Sequence, residues 1–123
     1  MSRAFSNAVA QTTIFFQINR WKSNGQTPEE AYDSLELHGE EKPPRDEFIS
    51  KINSLFPSYL MNDIRKKRDR LLEECDWTQS RDVDLADNEA WVTYRQTLRD
   101  LPQTITPVIG KPLDDYFPTK PNA

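Results

Sequence analysis

Cysteine, histidine and glycine are nearly absent from this chain. Cys75 is the only cysteine and His38 the only histidine, and three glycines occur in 123 residues. One thiol excludes an internal disulfide and a thiolate metal cage. Three scattered glycines exclude a glycine-rich phosphate loop. Long apolar runs are missing too. Ile14-Phe15-Phe16 is typical, far short of the about 20 apolar residues that cross a bilayer. The opening Met1-Ser2-Arg3-Ala4-Phe5-Ser6-Asn7 lacks the apolar stretch of about 7–15 residues found in a secretory signal. The expected compartment is the cytoplasm of the cell that makes the chain. Net positive charge is lacking as well. The net charge is −4 and the pI is near 5.0, which argues against a dedicated nucleic-acid binder.

Apolar residues are present but sparse, at 36% of the chain and a mean hydropathy of −0.82. Leu, Ile, Val and Phe account for 27 of 123 residues, just above the roughly 20% below which chains stay disordered. The length suits one small domain, or a small domain with an arm. With so few apolar groups, part of the chain is expected to need a partner for burial.

Charge is unevenly spread. Residues 1–25 carry only Arg3, Arg20 and Lys22, whereas residues 26–47 carry eight acids against Lys42 and Arg45. Within residues 4–21, Ile14, Phe16 and Ile18 alternate as a strand would, while Phe5, Val9 and Phe16 share a helical stripe. We read this head as helix. Lys22 to Gln26 reads as a turn. Thr27-Pro28-Glu29-Glu30 is a helix start: Thr27 caps, Pro28 takes the first position and Glu30 can close a capping box. Ala31, Tyr32 and Leu35 give that helix its apolar face, and Gly39 is expected to end it. Glu40 to Pro44 is a polar linker. Phe48, Ile49, Ile52, Leu55 and Phe56 mark the clearest amphipathic helix. Pro57 is expected to break it or start another, running from Ser58 to Asp76. Residues 77–86 read as a loop. Asp87-Asn88-Glu89 caps a third helix through Ala90, Trp91, Tyr94, Leu98 and Leu101, which Pro102 stops. Five prolines in the last 22 residues predict an extended tail. The fold class is therefore mainly α: a helical hairpin of two C-terminal helices, shorter N-terminal helices and an extended Pro-rich C-terminal tail. Residues 1–44 form a head and linker suited to partner binding. Residues 45–121 form the helical region, with the tail from 102.

Candidate chemistry is thin. Cys75 lies on an apolar helical stripe, so it reads as a buried structural thiol rather than a nucleophile. His38 reads as an imidazole at a helix C-terminus, where the dipole favours it. Glu73 and Glu74 diverge by about 100° on a helix, and Asp114-Asp115 lacks further cation ligands. No catalytic residue, metal site or cofactor is expected. The basic run Arg65-Lys66-Lys67-Arg68-Asp69-Arg70 is balanced by Asp63, Asp69, Glu73, Glu74 and Asp76. It reads as a solvated face with Arg65–Asp69 and Arg70–Glu74 pairs. The aromatics Trp77, Trp91, Tyr94, Tyr116 and Phe117 carry more information. They suit either a small core between the second and third helices or a partner-binding interface, and one ring can serve both.

Three ordered blocks then carry a resemblance. Arg65 to Gln79 follows the pattern R-x-x-R-D-x-L-L-x-x-x-D-W-T-Q. Trp91 to Pro102 follows W-x-x-Y-R-Q-x-L-R-D-L-P, and Phe117-Pro118-Thr119-Lys120-Pro121 follows an aromatic with P-T-K-P. Over about residues 63–121 the chain resembles the phage tail assembly chaperone family. It departs in the linker Thr104 to Pro112, and in having Phe117 where Trp is common. The resemblance implies a non-catalytic, ATP-independent protein of the host cytoplasm. It would bind a phage tail or tail-fibre protein to aid its folding or assembly, and stay on the virion in some cases. It implies no nucleic acid and no membrane, and is compatible with an oligomer within the tail. The alternative is a permanent structural component of the tail or fibre. Residues 1–62 carry no resemblance.

Overall fold

The computed structural model describes residues 2–122. Four α-helices dominate the described residues: α1 (Arg3–Phe15), α2 (Pro28–Asp33), α3 (Arg45–Glu74) and α4 (Asn88–Thr104). A two-stranded antiparallel ladder joins β1 (Trp21–Lys22) to β2 (Glu36–Leu37), pairing Trp21 with Leu37 and Lys22 with Glu36. Short 3-10 turns lie at Asp76–Gln79 and Leu113–Tyr116. The chain divides into two compact units. The first holds residues up to Met61 together with Pro107–Lys111; the second holds Asn62–Thr106 and the residues after Lys111. α3 supplies residues to both.

In the first unit the head is helical, so the strand alternative for Thr12–Ile18 is not realised. Ser2 caps α1 by accepting from the Phe5 N–H. The hydroxyls of Thr12 and Thr13 donate to the carbonyls of Ala8 and Ala10, at 2.7 and 2.6 Å. Their polar atoms are thus satisfied inside the helix, and both side chains are buried despite their β-branched preference for strands. α1 ends in a Schellman turn. Ile18 N–H bonds Thr13 carbonyl, Gln17 N–H bonds Ile14 carbonyl, and Gln17 takes φ 59° at the position glycine usually fills.

Three expectations fail in the next stretch. Lys22 sits in β1 rather than in a turn. α2 stops at Asp33, not near Gly39, because residues 36–37 leave the helix to pair with β1. His38 therefore follows a strand and has no helix end beside it. The ladder is held by side chains as well as backbone: Ser23 Oγ donates to Ala31 carbonyl, and Ser34 Oγ donates to Asn24 carbonyl. Thr27 caps α2 as expected. Glu30 reaches back to the Gln26 N–H at 2.7 Å, one residue before the partner of a standard capping box. Gly25 (φ +114°) makes this approach possible, since a Cβ there would stand 2.5 Å from Glu30 Cβ. Phe5, Val9, Ile18, Ala31, Leu35, Phe48, Ile52 and Phe56 are all buried. Phe48 stacks on Phe16 and tilts against Tyr32, with centroids at 6.0 and 5.5 Å.

Pro57 does not divide the central helix. α3 runs unbroken for 30 residues, about 45 Å. Phe48, Ile52, Phe56, Leu60 and Ile64 are each at most 4% exposed. This row at every fourth residue continues across the proline. Each step of four overshoots one full turn by about 40°, so the row slews around the helix and reads in sequence as two separate stripes. Pro57 removes the hydrogen bond to the Asn53 carbonyl. Both residues lie on the exposed side, where water can replace the lost donor. Pro102 likewise fails to stop α4, which continues to Thr104. No helix among the described residues is long and apolar enough to cross a membrane.

Candidate partner-binding surface

The second unit is built on the end of α3, the 3-10 turn after it and the inner face of α4. Asp87 caps α4 by accepting from the Ala90 N–H at 3.0 Å. Trp91, Tyr94, Arg95, Leu98 and Leu101 form its buried stripe. Cys75, Trp91, Tyr94 and Leu98 make one buried cluster, with Leu71, Leu72, Leu85 and Phe117 packed against it. The thiol is thus buried, as its stripe position suggests.

The five aromatic residues singled out in sequence separate by depth. Trp91 is wholly buried, and Tyr94 and Tyr116 nearly so. Phe117 is half-buried, while Trp77 keeps 49% of its surface exposed. Trp77, Trp91 and Tyr94 make a continuous ring contact. Trp77 tilts against Trp91 at 6.1 Å, and Trp91 meets Tyr94 edge-on at 5.9 Å. An indole is therefore held at the surface by an indole beneath it. The Trp91 Nε1 donor is buried and has no hydrogen-bond partner among the described residues.

Sequence reasoning passed over Arg95. Its guanidinium reaches the end of α3, where Nη1 donates to the Leu72 carbonyl at 3.0 Å and to Cys75 Sγ at 3.1 Å. Nη2 pairs with Asp76 Oδ1 at 2.9 Å. A cation bonded to a carbonyl in the last turn of a helix suits the helix dipole. Burial alone would weaken the charged form. The bonds to Asp76 and Cys75 outweigh burial and hold the Arg95 pKa above its ordinary value. The signal was available, because Arg95 shares the apolar stripe of Trp91, Tyr94 and Leu98. Tyr94 is shifted upward too, first by burial and then by Cys75 and Glu74.

Each member of Asp76-Trp77-Thr78-Gln79 has a separate task. Asp76 holds Arg95, and Trp77 supplies the exposed ring. Thr78 Oγ1 donates to the Cys75 carbonyl at 2.6 Å, and Gln79 Nε2 donates to that hydroxyl at 3.0 Å. The basic run is also more committed than a solvated face. Lys67 pairs with Asp114 and lies 4.8 Å from the Phe117 ring centroid. Arg70 pairs with Glu74 at 3.7 Å as expected. Asp69 pairs with its neighbour Arg68 at 2.9 Å, not with Arg65. The first contact fastens the 3-10 turn Leu113–Tyr116 to α3. No group of three or more His, Cys, Asp or Glu that could hold a metal occurs among the described residues.

The family described as phage tail assembly chaperone protein matches residues 61–121. The C-terminal half of the chain belongs to that family. No curated protein and no solved structure matches the chain significantly. In this chaperone half the blocks D-W-T-Q and W-x-x-Y-R-Q meet through Arg95–Asp76 and Trp77–Trp91, nineteen and fourteen residues apart in sequence. The closing Phe117 packs on the same cluster. The match supports a role in phage tail assembly.

Proposed function

We propose that the protein binds a tail or tail-fibre polypeptide during assembly in the host cytoplasm, without catalysis or cofactor, through a surface centred on Trp77. The observation that carries this reading is the half-exposed Trp77 ring seated on buried Trp91. A rigid indole supplies large contact area at little cost in side-chain entropy, as interface anchors do. Phe117 is the adjoining contact, while Trp91, Tyr94 and Tyr116 support the surface from behind. Residues 1–44 form a head that reaches the same partner or its neighbour.

The test is co-expression of the tagged full chain with each tail and fibre protein of the same phage. One of them should co-purify, and Trp77→Ala should abolish capture while leaving the far-ultraviolet circular dichroism unchanged. Undiminished capture by the folded variant would remove Trp77 from the interface. Mass spectrometry of purified particles separates transient from permanent roles, because fibre-like copy numbers would make the chain a structural component. Lys67, Arg68 and Arg70 are engaged with acids, so an electrophoretic assay with DNA should show no shift.

A further inference from the structure

The first unit carries a groove that no part of the family match covers. It is a shallow, open depression of about 380 Å³, room for one or two side chains of a partner. Its apolar wall is Phe15 and Phe16, at the end of α1, joined edge to face at 5.1 Å. Its other wall is one face of α3, where Ser50 and Ser54 are small enough to let another backbone approach. Phe15 is 58% exposed and the adjoining Ile14 62%, because the buried stripe of α1 runs through Ala4, Phe5, Ala8, Val9, Thr12 and Thr13. These two are the most exposed large apolar side chains among the described residues, and they adjoin, as in patches that mark interaction sites.

The rim has a definite sign. Asp46 and Glu47 line the groove, are exposed, and enter no ion pair among the described residues. The lining's one cation, Lys51, lies over the Phe15 ring, 4.1 Å from its centroid, and offsets only one of the two carboxylates, which leaves the lining net negative. An apolar floor beside two unpaired carboxylates matches a segment whose apolar side chains alternate with basic ones.

We propose that this groove docks an apolar–basic segment of another polypeptide, seating an apolar side chain on Phe15 and Phe16 and a lysine or arginine at Asp46 and Glu47. It is a second contact, separate from the Trp77 surface.

The test uses the full chain and two labelled nonapeptides, one alternating leucine with lysine and one alternating leucine with glutamate, read by fluorescence anisotropy. The lysine peptide should bind at least about tenfold more tightly, and the difference should shrink as salt rises from about 50 to 500 mM. The double variant Asp46→Lys, Glu47→Lys should weaken lysine-peptide binding by about fivefold or more. Glu40→Lys, Glu41→Lys makes the same charge change outside the groove and should have little effect. Phe15→Ser should also lose binding with its fold intact, since the ring is largely exposed. Equal affinity for both peptides, or equal losses in the two charge variants, would overturn the assignment. So would a dimer in light scattering that Phe15→Ser dissolves, which would give the groove to a second copy of this chain. Trp77→Ala should leave peptide binding unchanged, so failure here and failure of the Trp77 surface are separable.

Discussion

Single residues hold several contacts that composition does not announce. Gln17 is the left-handed residue of the α1 Schellman turn, with φ 59°. A side chain in that region costs about 1–2 kcal/mol relative to glycine, less the extra freedom glycine has when unfolded. Gln17→Gly should therefore raise stability by about 1 kcal/mol, read as a shift in urea midpoint at constant slope. Tyr94 offers a pH test. Its folded-state pKa is raised above the ordinary value, first by burial. Its contribution is then whole below about pH 10 and drains as pH climbs through the raised value, because the unfolded chain ionises first. Tyr94→Phe keeps the ring against Trp91 and should flatten the fall of stability above about pH 10. An unchanged slope would mean that the phenol ionises as freely in the fold as out of it.

At the level of elements, capping and termination differ in legibility. The caps of α2 and α4 rest on Thr27 and Asp87, each bonding a backbone N–H three residues on, and a three-residue pattern is visible in any sequence. The ends of helices were less visible. Pro57 reads as a break or a new start and Pro102 as a stop, yet α3 and α4 run through both, because a proline's penalty is local while burial along the rest of the helix opposes it. Pro57→Ala restores one backbone hydrogen bond at an exposed site. It should raise stability by about 1–2 kcal/mol, after allowing for the stiffening that proline gives the unfolded chain. A loss of stability in thermal melts would show that the ring packs usefully. The turn Leu113–Tyr116 is held by its own backbone bonds, by buried Tyr116 and in part by Lys67. The Asp114 carboxylate is 83% exposed, so the ion pair itself is weak, and the ring contact to Phe117 adds about 0.5–1 kcal/mol. Lys67→Ala should speed amide exchange in this turn about fivefold, the equivalent of about 1 kcal/mol.

For the whole molecule, Trp91 is the largest fully buried side chain among the described residues. Trp91→Ala should cost about 3–5 kcal/mol, a major part of the about 5–15 kcal/mol by which domains are stable. Trp77→Ala removes a half-exposed ring and should cost under about 1.5 kcal/mol. Denaturant melts of the two variants would separate them, and equal losses would contradict the difference in burial. The sequence by itself determined the helical class, the caps, the burial of Cys75 and the family blocks, because those signals lie within a turn or two of helix or in contiguous motifs. Tertiary structure alone decided which face of each aromatic is free, that β2 leaves α2 to pair with β1, and that Arg95 reaches Asp76 across 19 residues and Lys67 reaches Asp114 across 47. Contacts of that range depend on where the chain returns in space, and no local period or propensity encodes that.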